Sequence, residues 1–301
     1  MARVAAQLTN FTAGELSPRL DGRNDLAKYP AGCKTLENMV VFPHGAAARR
    51  PGTQFISEVK TSSNKTRLIP FEFSTVQTYV LEFGNQYMRV YKDKAQVLSG
   101  GSAFEISTPY LTAELFDIKF AQSADVMYLT HPSHSTRKLS RTGHTSWTLT
   151  EVDFTNGPFL DTNISTTTLT PSGTTGSVTI TASANTFVST DVNRLVRIGD
   201  GIAKITNFSS ATSVTATTST NFANTNASTN FSLGAFSTTT GFPSCVTFFE
   251  QRLVFAATVN NPQTIYFSKS GDYENMDANI GGTIKDDDAI VYTIASNQVN
   301  A

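Results

Sequence analysis

Three adjacent carboxylates, Asp286, Asp287 and Asp288, stand beside Gly281-Gly282 and form the one acidic run in the sequence. Carboxylate oxygens are what a hard cation such as calcium takes as ligands, but cation loops alternate their acids with other residues, and this run does not. A solvated acidic turn is therefore expected there, or a like-charged ring if several copies faced one axis. His131 and His134 flank Pro132-Ser133 at a spacing that could bring two imidazoles to one metal. No third ligand is near in sequence, so a polar turn between two strands is the favoured reading. Asp272 and Glu274 would share one face of a strand. The two acids of a glycosidase must flank a bond several ångströms wide, and close sequence neighbours rarely do so.

Other catalytic signatures are missing. The sequence holds no GxSxG elbow, no GxxxxGK[ST] phosphate loop, no HExxH and no GxGxxG. Cys33 and Cys245 are too far apart for a CxxC pair or a disulfide framework. We expect no enzyme, no metal and no cofactor. The first sixty residues are the most distinctive: eight basic and five acidic side chains lie among Gly, Pro and Asn. Arg19, Arg23, Arg49 and Arg50 are candidates for bidentate contacts to a neighbouring chain. Pairing with the arm's own carboxylates is the competing reading, and composition does not choose between them.

The elements that would position these residues are mostly strands. In 301 residues the formal net charge is −1, and charged residues make up 16% of the chain against 39% hydrophobic. So little charge leaves a large core under a neutral polar surface, argues against a general nucleic-acid coat, and suits a protein that assembles with copies of itself. The longest clean apolar run, Leu253 to Ala257, is far too short to cross a membrane. The N-terminus lacks the apolar stretch of a secretory signal, so folding in the cytoplasm is expected. Two aromatic and β-branched runs on either side of Gly84-Asn85 predict a hairpin, with Tyr87, Arg89 and Tyr91 on one face and Met88 and Val90 on the other. Short helical segments are expected at 26–29, 33–39 and 112–116.

Between Asp161 and Thr240 the composition changes to 34 Ser or Thr and six charged residues. Period-two patches at 177–182, 195–198 and 213–217 predict a small inserted β domain rather than a disordered linker. The flanks echo each other at an offset of 128, Val126-Met-Tyr-Leu-Thr with Val254-Phe-Ala-Ala-Thr and Lys138-Leu-Ser-Arg-Thr-Gly with Tyr266-Phe-Ser-Lys-Ser-Gly. A repeated β unit on either side of an insert is the trace a propeller blade leaves. The expected architecture is thus mainly β: an N-terminal docking arm (1–60), the first part of a propeller-like or otherwise repeated antiparallel body (61–160), the insert (161–240), and a return to the body that runs on through 241–301.

The order of these motifs resembles a known family. Phe11-Thr-Ala-Gly-Glu-Leu-Ser-Pro-Arg-Leu-Asp-Gly-Arg-Asn-Asp-Leu-Ala-Lys-Tyr, Cys33-Lys-Thr-Leu-Glu-Asn-Met and Gly45-Ala-Ala-Ala-Arg-Arg-Pro-Gly-Thr are similar to the N-terminal signature of the podovirus tail nozzle proteins, also called tail tubular protein B or stabilisation protein. Leu68-Ile-Pro-Phe-Glu-Phe-Ser, Gln122-Ser-Ala-Asp-Val-Met-Tyr-Leu-Thr-His and Gly241-Phe-Pro-Ser-Cys-Val-Thr-Phe-Phe-Glu-Gln-Arg-Leu-Val-Phe-Ala extend the likeness towards the C-terminus. The resemblance implies a structural protein of the virion tail with a propeller-like domain. It would form a six-fold homo-oligomeric ring below the portal adaptor, beside tail fibres, with a channel that passes DNA without sequence-specific binding and without membrane insertion. Family members are usually longer than this chain. Residues 1–60 carry a net charge of +3 and 250–301 a net of −4, which suits a basic docking arm and a channel that does not hold DNA. Two other classes fit a Thr-rich β protein: a carbohydrate-binding or depolymerising tail protein, which should show a solvent-facing cluster of aromatics and carboxylates, and a secreted adhesin.

Overall fold

Ile69 and Phe71, then Tyr79, Leu81 and Phe83, then Met88 and Val90 recur at every second position, and each run is a strand with those side chains turned into one core. The same logic extends through residues 57–301. The structure, a computed structural model, describes residues 7–279, 282–295 and 299, so Gly281 beside the acidic run lies outside the described residues. It is 44% strand and 3% helix. Contacts divide the chain into two compact units, 1–56 and 57–301.

In the second unit three antiparallel meanders follow one another. The first contains β1 (Arg67–Glu72), β2 (Thr78–Gly84), β3 (Tyr87–Lys92) and β4 (Glu105–Ser107), with Ala95–Gln96 added on β3. The second contains β5 (Lys119–Ser123), β6 (Val126–His131), β7 (His134–Gly143) and β8 (Ser146–Glu151). An inserted six-stranded sheet comes next: β9 (Leu169–Pro171), β10 (Ser177–Ala182), β11 (Leu195–Ile198), β12 (Gly201–Ser210), β13 (Ser213–Thr220) and β14 (Phe231–Leu233), in the order β9-β10-β13-β12-β11-β14. The last meander contains β15 (Cys245–Phe249), β16 (Arg252–Ala256), β17 (Thr264–Phe267) and β18 (Ile290–Thr293).

The meanders stack face to face as propeller blades do. Met127, Leu129, Leu139 and Trp147 of the second pack against Phe71, Tyr79, Leu81 and Met88 of the first, with the Phe71 and Trp147 rings edge to face at 4.8 Å. Val126 and Tyr128 alternate with Met127 and Leu129, so they leave the opposite face and meet Val246, Leu253, Phe255 and Tyr266 of the third. The first strands of neighbouring blades, β5 and β15, lie in contact. The 128-residue echo falls on equivalent strands: Val126 and Val254 sit on the second strand of their blades, Lys138 and Tyr266 on the third. The inserted sheet curls round a core of its own, Leu169, Ile180, Val196, Ile205, Val214 and Phe231 among its members.

The hairpin forms, with its turn one residue later than Gly84-Asn85 suggests. Asn85 and Gln86 make the turn, Gln86 taking the left-handed conformation at φ 62°. Gly84 closes the β2–β3 ladder opposite Tyr87, and a side chain is excluded there because a Cβ would lie 2.2 Å from the Tyr87 ring. None of the three expected helices is present: 112–116 is a series of turns and 26–29 leads into a 3-10 turn at Tyr29–Ala31. Residues 33–39 hold the ends of two strands, Gly32–Cys33 and Met39–Val41, joined through Asn38 at φ 57°. Segments this short have no apolar face to bury and cannot offset the cost of the first helical turn.

In the first unit Gly14–Glu15 pairs in parallel with Gly32–Cys33, and Met39–Val41 pairs with Ala47–Arg49. Among its described residues only Gly45 is buried. The arm is held by turns and short ladders, without a core.

Candidate functional site

The structure separates the four candidate arginines of the arm. Arg23 makes a two-bonded pair with Asp25, at 2.7 and 2.6 Å, and this pairing raises its pKa while lowering that of Asp25. Arg50 donates Nε to Asn38 Oδ1 at 2.7 Å, beside a backbone bond from its own N–H to the Asn38 carbonyl, so it closes the hairpin that ends at Arg49. Arg19 and Arg49 are exposed and have no side-chain partner among the described residues. Half of the candidate set is thus engaged within the arm, and half is available to another molecule.

The acidic run is not a row of three solvated carboxylates, and this corrects the expectation. Asp286 and Asp287 are exposed, whereas Asp288 is buried. Asp288 accepts the Lys285 N–H at 2.8 Å and Lys269 Nζ at 3.1 Å. The Lys285 N–H first, and then Lys269, hold its carboxyl below the usual range. The turn is fastened from below by Arg252, whose guanidinium donates to the carbonyls of Ser268, Asp288 and Asp286 at 2.7, 2.6 and 2.5 Å. Asp288 therefore shapes a turn, and only Asp286 and Asp287 face water.

Asp272 and Glu274 lie in the turn region between β17 and β18, not on one strand. Glu274 Oε1 accepts the Tyr128 hydroxyl at 2.9 Å and Lys138 Nζ at 2.5 Å, both from the second blade. It ties the second blade to the third. His131 and His134 face each other across the hairpin from β6 to β7, ring centroids 5.0 Å apart. His131 is buried; its Nδ1 accepts the Ser133 N–H, and its Nε2 has no partner. Burial and then His134 lower the pKa of His131. His134 Nε2 meets Glu114 at 2.9 Å. Among the described residues no group of three His, Cys, Asp or Glu side chains converges as metal ligands do.

The tyrosines Tyr87 and Tyr91 project from the outer face of the first blade, as the alternation requires. Both hydroxyls donate to buried Glu82, at 2.6 and 2.5 Å. Burial and then Glu82 push Tyr91 up to about 12, so it stays a neutral donor. Beside this polar lattice the same face carries Leu68, 62% exposed, and the half-open Val80. At the other end of the stack the outer face of the third blade carries Phe249, Ile290 and Tyr292, at 56, 45 and 62%. The middle blade is covered on both faces, whereas the outer faces of the end blades are covered in part: Glu82 and Tyr87 are buried on the first, and Arg252, Val254 and Ala256 on the third.

Two clefts border the insert. One, of about 290 Å³, lies between β7–β8 and the insert, and its charges are already paired, Arg137 with Glu151 at 2.8 Å and Lys204 with Asp153 at 3.0 Å. The other, of about 980 Å³, lies between the insert and the β18 region and has Arg197 in its wall. Sequence reasoning missed Arg197, whose partners Thr162 and Ser232 are each 35 residues away. Compared with known proteins, the chain matches no family model and no curated protein.

Proposed function

We propose that the chain is a structural component of a phage tail, a ring-forming nozzle protein below the portal adaptor whose ring passes DNA. The order of the N-terminal, central and C-terminal motifs supports this reading. The observation that carries it is the stack of three blades whose end faces expose Leu68 and Val80 on one side and Phe249, Ile290 and Tyr292 on the other. A lone soluble molecule seldom leaves apolar sheet faces open at both ends of a stack, because water disfavours them; a neighbouring sheet removes that cost. The arm supplies a second contact of different chemistry, with cationic Arg19 and Arg49 presented to an acidic neighbour.

The test is the native mass of the protein, by mass photometry or light scattering, alone and with the portal adaptor of the same phage. A closed ring in either condition is expected. A particle that stays monomeric in both overturns the proposal.

A further inference from the structure

A strand at the edge of a sheet leaves a row of main-chain N–H and C=O groups without a ladder, and proteins protect such edges with proline, charge or a covering segment. The edges of the blades and of the inserted sheet follow this rule, with one exception. β1 holds Pro70 and β9 holds Pro171. β4 and β8 carry Glu105 and Glu151, both in ion pairs. β14 receives the N–H groups of Leu160 and Asn163, and β5 and β15 lie in contact with each other. The exception is β18. Ile290, Val291, Tyr292 and Thr293 are all exposed and include no proline and no charge, and among the described residues only β17 bonds their main chain.

The chain also holds a segment in search of a ladder. Residues 52–56, Gly-Thr-Gln-Phe-Ile, are exposed and make no hydrogen bond among the described residues, and Phe55 is 76% exposed. Thr, Phe and Ile favour strands. Just before them stands Arg49, without a side-chain partner, and just before β18 stands exposed Asp286, with no cation in ion-pairing reach among the described residues, since Lys269 is taken by Asp287 and Asp288. Lys269 and Lys285 against Asp286, Asp287 and Asp288 leave that turn net −1. We propose that residues 52–56 of a second copy add to β18 as a parallel fifth strand, with the Arg49 of that copy on Asp286. The charges set the direction, because an antiparallel segment would carry Arg49 to the Thr293 end. Side chains alternate along a strand, so one of Phe55 and Ile56 joins Ile290 and Tyr292 on the outer face of the third blade, and the neighbouring copy covers edge and face together. This inference rests on the ring-forming reading and names one of its contacts.

The experiment uses the full chain and cysteine pairs split between two batches of protein. Phe55→Cys and Ile56→Cys are each mixed with Tyr292→Cys and oxidised, so that a disulfide to position 292 can join only two different chains. Each variant oxidised alone controls for Cys33 and Cys245. One of the two mixtures, and not the other, should give a linked dimer on a non-reducing gel, because positions 55 and 56 lie on opposite faces of the added strand. Arg49→Glu should weaken association about tenfold by light scattering at an unchanged melting temperature, and Asp286→Arg in the same chain should restore it. Assembly without a cross-link from either position, equal cross-linking of both, or no rescue by Asp286→Arg overturns this contact and leaves the ring standing. Wild-type protein that stays monomeric alone and with the adaptor overturns both.

Discussion

Asp191 and Arg194 carry the sharpest stability prediction. Asp191 is fully buried and accepts from three donors: Arg194 Nη1 at 2.8 Å, Thr239 Oγ1 at 2.6 Å and the Val188 N–H at 2.9 Å. Arg194 also donates Nε to the Gly234 carbonyl at 2.9 Å. The pair thus fastens the 3-10 turn at Ser189–Asp191 to the chain where it leaves the insert. Asp191→Ala leaves a buried guanidinium without its anion and two further donors unpaired, a cost of about 3–5 kcal/mol. At about 2–4 °C per kcal/mol for a unit of this size, the melting temperature should fall by roughly 6–20 °C. Replacing both partners, Asp191→Ala with Arg194→Met, removes the orphaned charge and should recover much of the loss. Urea denaturation of the four proteins of the double-mutant cycle, with hydrogen exchange read at β11 and β12, gives the coupling. A loss below about 1 kcal/mol for the single variant, the size of a surface ion pair, would refute the reasoning. So would a double variant no more stable than Asp191→Ala.

Acid should loosen the junction of the first two blades through His131. Its folded pKa is lowered, so the stability it contributes is full above the unfolded value of about 6.5 and is lost as pH falls through the folded one. The charged groups acting on it, His134, Glu114 and Asp117, come from β7 and from the turns before β5. Burial raises Glu114, but the Leu111 N–H and His134 outweigh it and leave its carboxyl low, so a second loss follows below about 4.5. In pH-dependent urea melts His131→Gln should flatten the upper limb alone; an unchanged limb contradicts the assignment. Leu129→Ala, in the core between the first two blades, should cost about 2–5 kcal/mol, whereas exposed Leu68→Ala should stay within about 0.5 kcal/mol in the monomer and still weaken the ring. Equal effects of the two substitutions on monomer stability would contradict the placement of both.

Strand existence was legible wherever the alternation was unbroken: 177–182, 195–198 and 213–217 are all strand, because side chains on a pleat must face opposite ways. The longest strand of the insert, β12, was not. Its pairing with β13 shifts register at Ile202/Ala203, Ile205/Asn207 and Phe208/Ser210, and each shift breaks the period of two. The acidic run misled for a related reason, since a turn sends neighbouring side chains in different directions and only Asp288 goes inward. Its fastener, Arg252, bonds to backbone carbonyls, which leave no mark in a sequence. The Arg197 cleft was hidden by an excess of Ser and Thr, among which nothing distinguishes Thr162 and Ser232 until the chain brings them together.

The distribution of arginine partners sharpens what the arm can do. All seven arginines of residues 57–301 have side-chain partners: Arg89, Arg137, Arg141 and Arg194 meet carboxylates, Arg67 and Arg252 donate to carbonyls, and Arg197 meets two hydroxyls. In a chain so poor in charge, an arginine without a partner is the exception, and among its described residues the arm holds two, Arg19 and Arg49. Arg50 is a poor probe of docking because it holds Asn38, so reversing its charge would disturb the hairpin and block assembly for a trivial reason. Arg19→Glu with Arg49→Glu removes nothing that the arm uses internally. That double variant should keep its circular dichroism and melting temperature and lose association with the adaptor or with other copies, with the wild-type association weakening as salt rises. Normal assembly by the double variant, or wild-type assembly indifferent to salt, would move the contact away from the arm and onto the apolar end faces alone.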